Sequence, residues 1–358
     1  MTENPQQSQS VRFAVHDLDG NDLGVLAVNA GTDFGVPRLS VDVNRPIRRT
    51  VTNIAVPPRP LGDVTASLYA GEFSTLTTEV RPYFTIDGVE HQTGVLGWGD
   101  ASTAYHSYGN WFFGELVDRS AILNDGLEAS VSYPAGTNVR DALVEQAALG
   151  GFGDDRVTIE ASGVSLGAPL TGAAGRDTRW GFMETLATAG GYLPPYFDND
   201  GLLVIRYAPN VETAEATALV YGGSGRVIEA DSLVGSDDLL AAPNRYQVIA
   251  GGLDHEVIGI FDLPAQAPNS FENTGRRRTR TLDIDGIPDE FIADLTAAGE
   301  YAADTTTYSW IAFTSPPYPD HDCFDIIAVD GTYYREQAWS LDLVAGGAMR
   351  HDARGVYG

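Results

Sequence analysis

The chain contains no lysine: all 22 of its basic residues are arginine, set against 49 Asp and Glu for a formal net charge of -27 in 358 residues. A GC-rich genome, which shifts Lys codons toward Arg, accounts for the missing residue type, and an acidic lysine-free surface would equally suit a halophile. A surface this negative repels nucleic-acid phosphates and argues against a general DNA- or RNA-binding role. It would also let DNA slide past without sticking. Cysteine is nearly absent, and the single Cys323 cannot form an internal disulfide, so nothing points to an oxidising compartment. No apolar run approaches the ~18 residues of a membrane helix, which argues against membrane insertion. The opening MTENPQQSQS lacks the charged and apolar regions of a signal peptide and is expected to be a short floppy arm. What is present is 43% hydrophobic and 20% charged residues, a globular composition with length for two or three cored domains.

Period-two alternation at Val11, Phe13 and Val15, an Asp17–Asp22 cluster and the run Leu23 to Val28 predict a β-hairpin. Strand-like runs follow at Thr50–Val56, Val64–Tyr69, Leu76–Ile86 and Thr93–Trp98, so residues 1–118 read as a β-barrel or small sandwich. Residues 119–208 read as a smaller α/β module. Its first helix begins at a Thr137 or Asn138 cap, buries Val139, Ala142, Leu143, Gln146 and Ala147, and stops at Gly150-Gly151. The second is capped by Asp177 and carries two apolar rows, Trp180, Met183 and Ala187 beside Phe182, Leu186 and Ala189. A hairpin, Tyr192–Phe197 and Leu202–Tyr207, turns at Asp198–Gly201. Residues 209–358 return to β character, with strands at Thr217–Tyr221, Arg226–Ala230, Tyr246–Ala250 and Val257–Asp262. A loop at Ala265–Arg280 leads to a helix that starts near Pro288 and carries Phe291, Leu295 and Ala298 on one side. Strands at Tyr308–Thr314, Phe324–Val329, Thr332–Ala338 and Trp339–Leu343 close the chain, with a tight turn at Asp330-Gly331.

Candidate chemistry is thin. Gly163-Val164-Ser165-Leu166-Gly167 matches a nucleophile elbow, but Ala168-Pro169 follows where a helix must start, so it reads as a turn. Asp320, His321, Asp322, Cys323 and Asp325 are metal-capable, yet no second Cys/His cluster lies nearby to complete a zinc set. This stretch reads as a turn entering a strand, with Cys323 as a small buried hydrophobe. The Asp17–Asp22, Asp198–Gly201 and Asp283–Gly286 runs lack the alternate oxygens and terminal glutamate of a calcium loop and read as hairpin turns. No catalytic, cofactor or metal residue is therefore expected. Arg276, Arg277, Arg278 and Arg280 form the basic cluster of an acidic chain, either a solvated loop or a contact to carboxylates of a neighbouring subunit.

Several segments, in order, resemble the tail hub or minor tail proteins of long-tailed bacteriophages, of the kind found in phages of GC-rich actinobacterial hosts. They are the helix-then-hairpin run Asp177–Arg206, the strand segment Ala242-Pro243-Asn244-Arg245-Tyr246-Gln247-Val248-Ile249-Ala250-Gly251, Gly275-Arg276-Arg277 ahead of a helix, and Trp339–Leu343 followed by Gly346-Gly347-Ala348-Met349-Arg350. The resemblance covers about two thirds of the chain, mostly beyond residue 119. It implies an α+β, mainly β fold with two tail-tube-like β-barrel domains flanking a smaller α/β module. It also implies a homotrimeric ring at the virion tail tip, made in the host cytoplasm, that continues the tail tube. Its implied partners are the distal tail protein, the tape measure protein and a central fibre, spike or other minor tail proteins. DNA would pass through the lumen without specific binding, past a wall on which acidic residues concentrate.

Two other readings stand beside it. One is a distal tail or receptor- or carbohydrate-binding adsorption protein, for which Tyr105, Tyr108, Trp111, Phe112 and Phe113 would supply an aromatic face; the same cluster also reads as core or subunit interface. The other is a tail-associated peptidoglycan hydrolase, which six scattered histidines and one cysteine equip poorly.

Overall fold

A computed structural model of the chain describes residues 8–30, 35–59, 67–107, 109–208, 218–223, 225–237, 242–251, 257–304 and 309–356. Residues 1–7 of the expected arm, Val64–Ala66, Tyr108, Thr217 and Tyr308 lie outside the described residues, whereas Gln9 and Ser10 belong to the first strand.

Strand Gln9–Asp17 returns as Asp22–Leu26, with Ala14 opposite Val25. The Asp17 carboxylate closes the turn by accepting the Asn21 backbone N–H and side-chain amide, both at 2.8 Å. Gln9–Asp17 also pairs along its length with Thr78–Ile86. Leu96–His106 and Gly109–Asp118 form a long hairpin, and Arg49–Val56 and then Arg38–Asp42 are added beside it. Neither Arg38–Asp42 nor Gly109–Asp118 was expected, and the expected Thr93–Trp98 strand begins later and runs longer. The free edge of Arg38–Asp42 takes the far end of the chain. It pairs antiparallel with Ala338–Asp342, placing Leu39 opposite Leu341. Met349–Gly355, Ser309–Ser315 and Val234–Asp237 continue the order, so both ends of the chain share one sheet of 15 strands. Leu39, Val41 and Val51 accordingly share a core with Trp339, Leu341 and Met349. The fold is α+β, mainly β, and no barrel closes among the described residues.

Between the two ends sit the helices Val139–Leu149 and Arg179–Ala189. Asn138 caps the first by accepting the Asp141 N–H at 3.2 Å, and its buried residues are Val139, Ala142, Leu143, Gln146 and Ala147, the expected face. The second helix buries both expected rows, but its cap is Thr178, which accepts the Gly181 N–H at 3.0 Å. Asp177 instead accepts the Ala173 N–H at 2.7 Å, one turn earlier in the loop. The hairpin is shorter than expected, Tyr196–Phe197 with Leu203–Ile205, and Val157–Ile159 pairs parallel to Leu203–Ile205, which becomes the central strand.

A third layer is the sheet in which Arg245–Gly251 lies between Val257–Asp262 and Thr279–Asp285. Its last strand lies mostly beyond the expected loop, where alternating Asp and Thr concealed it. Helix Glu290–Ala303, capped by Asp289, covers one face with Ile292, Ala293, Thr296, Ala297 and Tyr301. This rotates the helix relative to expectation, leaving Phe291 74% exposed. The cause is close approach: a Cβ on Gly259 would lie 2.0 Å from the Ala293 carbonyl carbon, so only the small-residue side of the helix fits there. Two further expectations change. Arg226–Ala230 is irregular apart from an isolated bridge to Tyr221. Thr332–Asp342 is one strand with a bulge between Glu336 and Ala338. The Asp330-Gly331 turn is as expected, with both residues at positive φ (49° and 82°).

Replacing Gly259 with Ala should lower stability by about 1–3 kcal/mol through forced helix displacement. Gly97→Ala, where an added Cβ meets nothing within 4 Å, should stay within about 0.5 kcal/mol. Urea unfolding of the two variants measures the contrast.

Candidate functional site

The acidic stretch from Asp320 to Asp325 does not converge on one point. Asp320 is exposed and meets His91 Nδ1 at 2.7 Å. Asp322 faces Arg49 at 3.2 Å, and Asp325 accepts the Asp322 N–H at 2.8 Å. Cys323 is buried, and burial pushes its thiol above the ordinary range, leaving it an inert apolar group.

Arg48 and Arg49 reach groups from three distant stretches of the chain. Arg48 donates to the Pro195 and Val43 carbonyls and to Glu184 at 2.9 Å. Arg49 donates to the Thr93 carbonyl at 2.5 Å, to Asn199 Oδ1 and to Asp322. Its backbone N–H goes to Asp118, a buried carboxyl that desolvation pushes upward while Ser120 and this N–H hold it down. A third arginine, Arg119, grips Glu79 with two bonds at 2.9 and 2.8 Å and reaches the Gly201 carbonyl at 3.0 Å. Each guanidinium satisfies several acceptors at once, which an ammonium cannot do in a plane.

His321 belongs to a different group. Its Nδ1 is hydrogen-bonded to Glu336 Oε2 at 2.6 Å, and His351 Nδ1 to Glu336 Oε1 at 2.5 Å. The opposite ring nitrogens are held by the Tyr221 hydroxyl at 2.6 Å and the Ser315 hydroxyl at 2.9 Å. Phe313 stacks on the His351 ring with centroids 4.4 Å apart. Burial alone would raise the Glu336 pKa, but the two imidazoles outweigh it and bring the carboxyl down to about 2. Burial pushes His351 down, against the pull of the same carboxylate. Ser315, His351 and Glu336 have the order of a serine–histidine–carboxylate relay. Yet Ser315 and His321 are 0% exposed, Glu336 1% and His351 3%, so no substrate reaches them. The arrangement braces the strands at Tyr221, Ser315, Glu336 and His351 with the loop at His321. Local reading found His321 alone, because Glu336 and His351 lie on separate strands. Both strands are rich in charged and polar residues, so no local pattern sets Glu336 and His351 apart.

The remaining candidates are surface features. Ser165 makes an isolated bridge with Asn138 in a loop, with no helix behind it. In the arginine cluster, Arg277 pairs with Asp262 at 2.6 Å and lies over the Phe271 ring, and Arg280 pairs with Asp304 at 2.6 Å. The Arg278 backbone is tied to Asn244, and Arg276 is exposed. Tyr105 projects from the long hairpin, while Trp111 stacks on Phe113 and Phe112 packs against Trp98. Among the described residues, no helix is long and apolar enough to cross a membrane.

No family model matches the chain, and no curated protein matches it by sequence. Solved structures match it nearly end to end. The 43 kDa tail protein of prophage MuSo2 from Shewanella oneidensis is 11% identical, with 97% of this chain and 98% of that one covered at a TM-score of 0.60. The tail protein from Neisseria meningitidis MC58 is 14% identical, covering 96% of each chain at 0.56. Prophage tail protein gp18 from Listeria monocytogenes EGD-e is 12% identical, covering 95% and 94% at 0.54. At these identities the likeness is one of fold, and the fold is that of phage tail proteins.

Arg49→Met should cost about 3–5 kcal/mol, because Asp322 and Asn199 lose a buried donor. Arg49→Lys should recover only a minor part of that loss in equilibrium unfolding; recovery to within about 1 kcal/mol of wild type would mean charge alone matters at the junction.

Proposed function

We propose that the chain is a structural component of a phage tail, the hub or minor tail protein at its tip. The observation that carries this reading is the near end-to-end fold match to three tail proteins, which covers 95–97% of this chain and 94–98% of theirs. In this reading three copies form a ring. Residues 1–118 and 209–358 supply tube-like β regions around the module 119–208, and the distal tail protein sits above, with a fibre or spike below. The ring holds the tape measure protein and later passes DNA. The sealed polar centre and the multiply bonded arginines suit a part that bears load and turns over no substrate. The net charge of -27 suits a lumen that DNA traverses without adhering, with acidic side chains on its wall.

Native mass spectrometry followed by negative-stain imaging tests the assembly. A trimer with a central hole is expected; a monomer that binds neither distal tail protein nor tape measure protein contradicts it. Within the ring, Arg276, Arg277, Arg278 and Arg280 are proposed subunit contacts. Arg276→Glu should weaken trimerisation in a salt-dependent way and leave monomer stability unchanged. Arg280→Glu should lower monomer stability as well, because it opposes Asp304. Equal effects of the two reversals on the trimer alone would contradict this division of roles.

A further inference from the structure

We propose that His321, Glu336 and His351 form a structural site for a divalent transition-metal ion of the zinc class. The inference is independent of the tail reading. The ligand atoms of all three residues lie within 4.8 Å of one another, and all three side chains are buried. Two imidazole nitrogens and a carboxylate are donors that suit zinc and its neighbours. The two oxygens of Glu336 and one Nδ1 from each histidine would complete a four-donor set. No position opens to solvent, as expected of a structural site and not of a catalytic one. With metal–ligand bonds of about 2.0–2.2 Å, donors of a tetrahedral set stand roughly 3.4 Å apart, so the ion would replace the bridging protons and each imidazole nitrogen would withdraw from its carboxylate oxygen by nearly an ångström.

The outer shell is in place. Metal-bound histidines are usually oriented by a hydrogen bond at the other ring nitrogen. Here both Nε2 atoms have one, His321 to Tyr221 at 2.6 Å and His351 to Ser315 at 2.9 Å. Counting protons gives the sharper argument. Ser315 has one hydroxyl proton, and its Oγ also lies 2.8 Å from the Pro316 carbonyl, which can only accept. If that proton goes to Pro316, the His351 Nε2 must carry its own hydrogen and donate to Ser315. In a neutral ring, Nδ1 then presents a lone pair to the Glu336 carboxylate at 2.5 Å. Two lone pairs at that distance require a cation between them, either an extra proton or a metal ion. A metal ion satisfies both histidines at once and neutralises the buried carboxylate. It also cross-links strands that no disulfide joins.

The experiment uses the full chain, purified without chelator and examined by native mass spectrometry and elemental analysis. It is then stripped and titrated with zinc or cobalt. One ion per chain, a melting temperature lowered by stripping and restored by zinc, and the visible bands of low-coordinate cobalt are expected. Glu336→Gln should abolish stoichiometric binding. Since that variant may fail to fold, Tyr221→Phe provides a second test: it keeps the ring packing, lowers the stripped form's melting temperature only by the loss of one buried hydrogen bond, and should weaken metal affinity about 10- to 100-fold. A folded chain that carries no ion and melts identically with zinc, cobalt or chelator would overturn the proposal and leave a centre closed by protons. An ion retained equally by both variants would place it elsewhere and overturn it too.

Discussion

Arg48 and Arg49 are the point on which the architecture turns. Arg49 starts the strand that follows Arg38–Asp42 and Arg48 immediately precedes it, and their guanidinium groups reach two distant stretches of the chain. Glu184, Pro195 and Asn199 belong to the helical module, and Asp322 belongs to the C-terminal β region. Arg49 is 1% exposed, so its charge left water on folding at a cost of several kcal/mol, offset in part by its bonds to the Thr93 carbonyl, Asn199 and Asp322, while its Nε–H is left without a partner. Such a junction adds little net stability compared with apolar packing. Its effect is on registration: each part is held in one position relative to the others, because any shift strands a buried charge.

The sheet depends on the same point. With the start of Arg49–Val56 held by Asp118, Arg38–Asp42 can pair on its other side with Ala338–Asp342. The first and last thirds of the chain then share strands and a core. The acidic excess and the buried arginines are two sides of one composition: a net charge of -27 makes the chain repel polyanions, and the buried forks of Arg48, Arg49 and Arg119 tie distant segments together.

Local features were legible in the sequence where local physics decides them. The Val139–Leu149 helix and its buried face followed from spacing, an Asn cap and a Gly-Gly stop. The turns at Asp17–Asp22, Asp198–Gly201 and Asp330-Gly331 followed from Asp, Asn and Gly. What the sequence hid was set by tertiary contacts. Phe291 lies outward because the backbone of Val257–Asp262 approaches its helix at Gly259. Arg38–Asp42, Thr279–Asp285 and Met349–Gly355 are strands rich in charged or polar residues, and their neighbours, not their own alternation, define them. Arg277 and Arg280, legible as a basic cluster, meet acids far along the chain. Glu336 and His351 stand apart from His321 in sequence and meet only across the bulged strand.

Placement in the assembled particle is the most direct test of the account. Imaging of intact tails by electron cryomicroscopy, with a small tag on the C-terminal end of this chain, would locate it. The account predicts three tagged copies around the channel at the distal end of the tail tube, above the fibre or spike. Tags found along the fibres, or particles that lack the chain altogether, would contradict it.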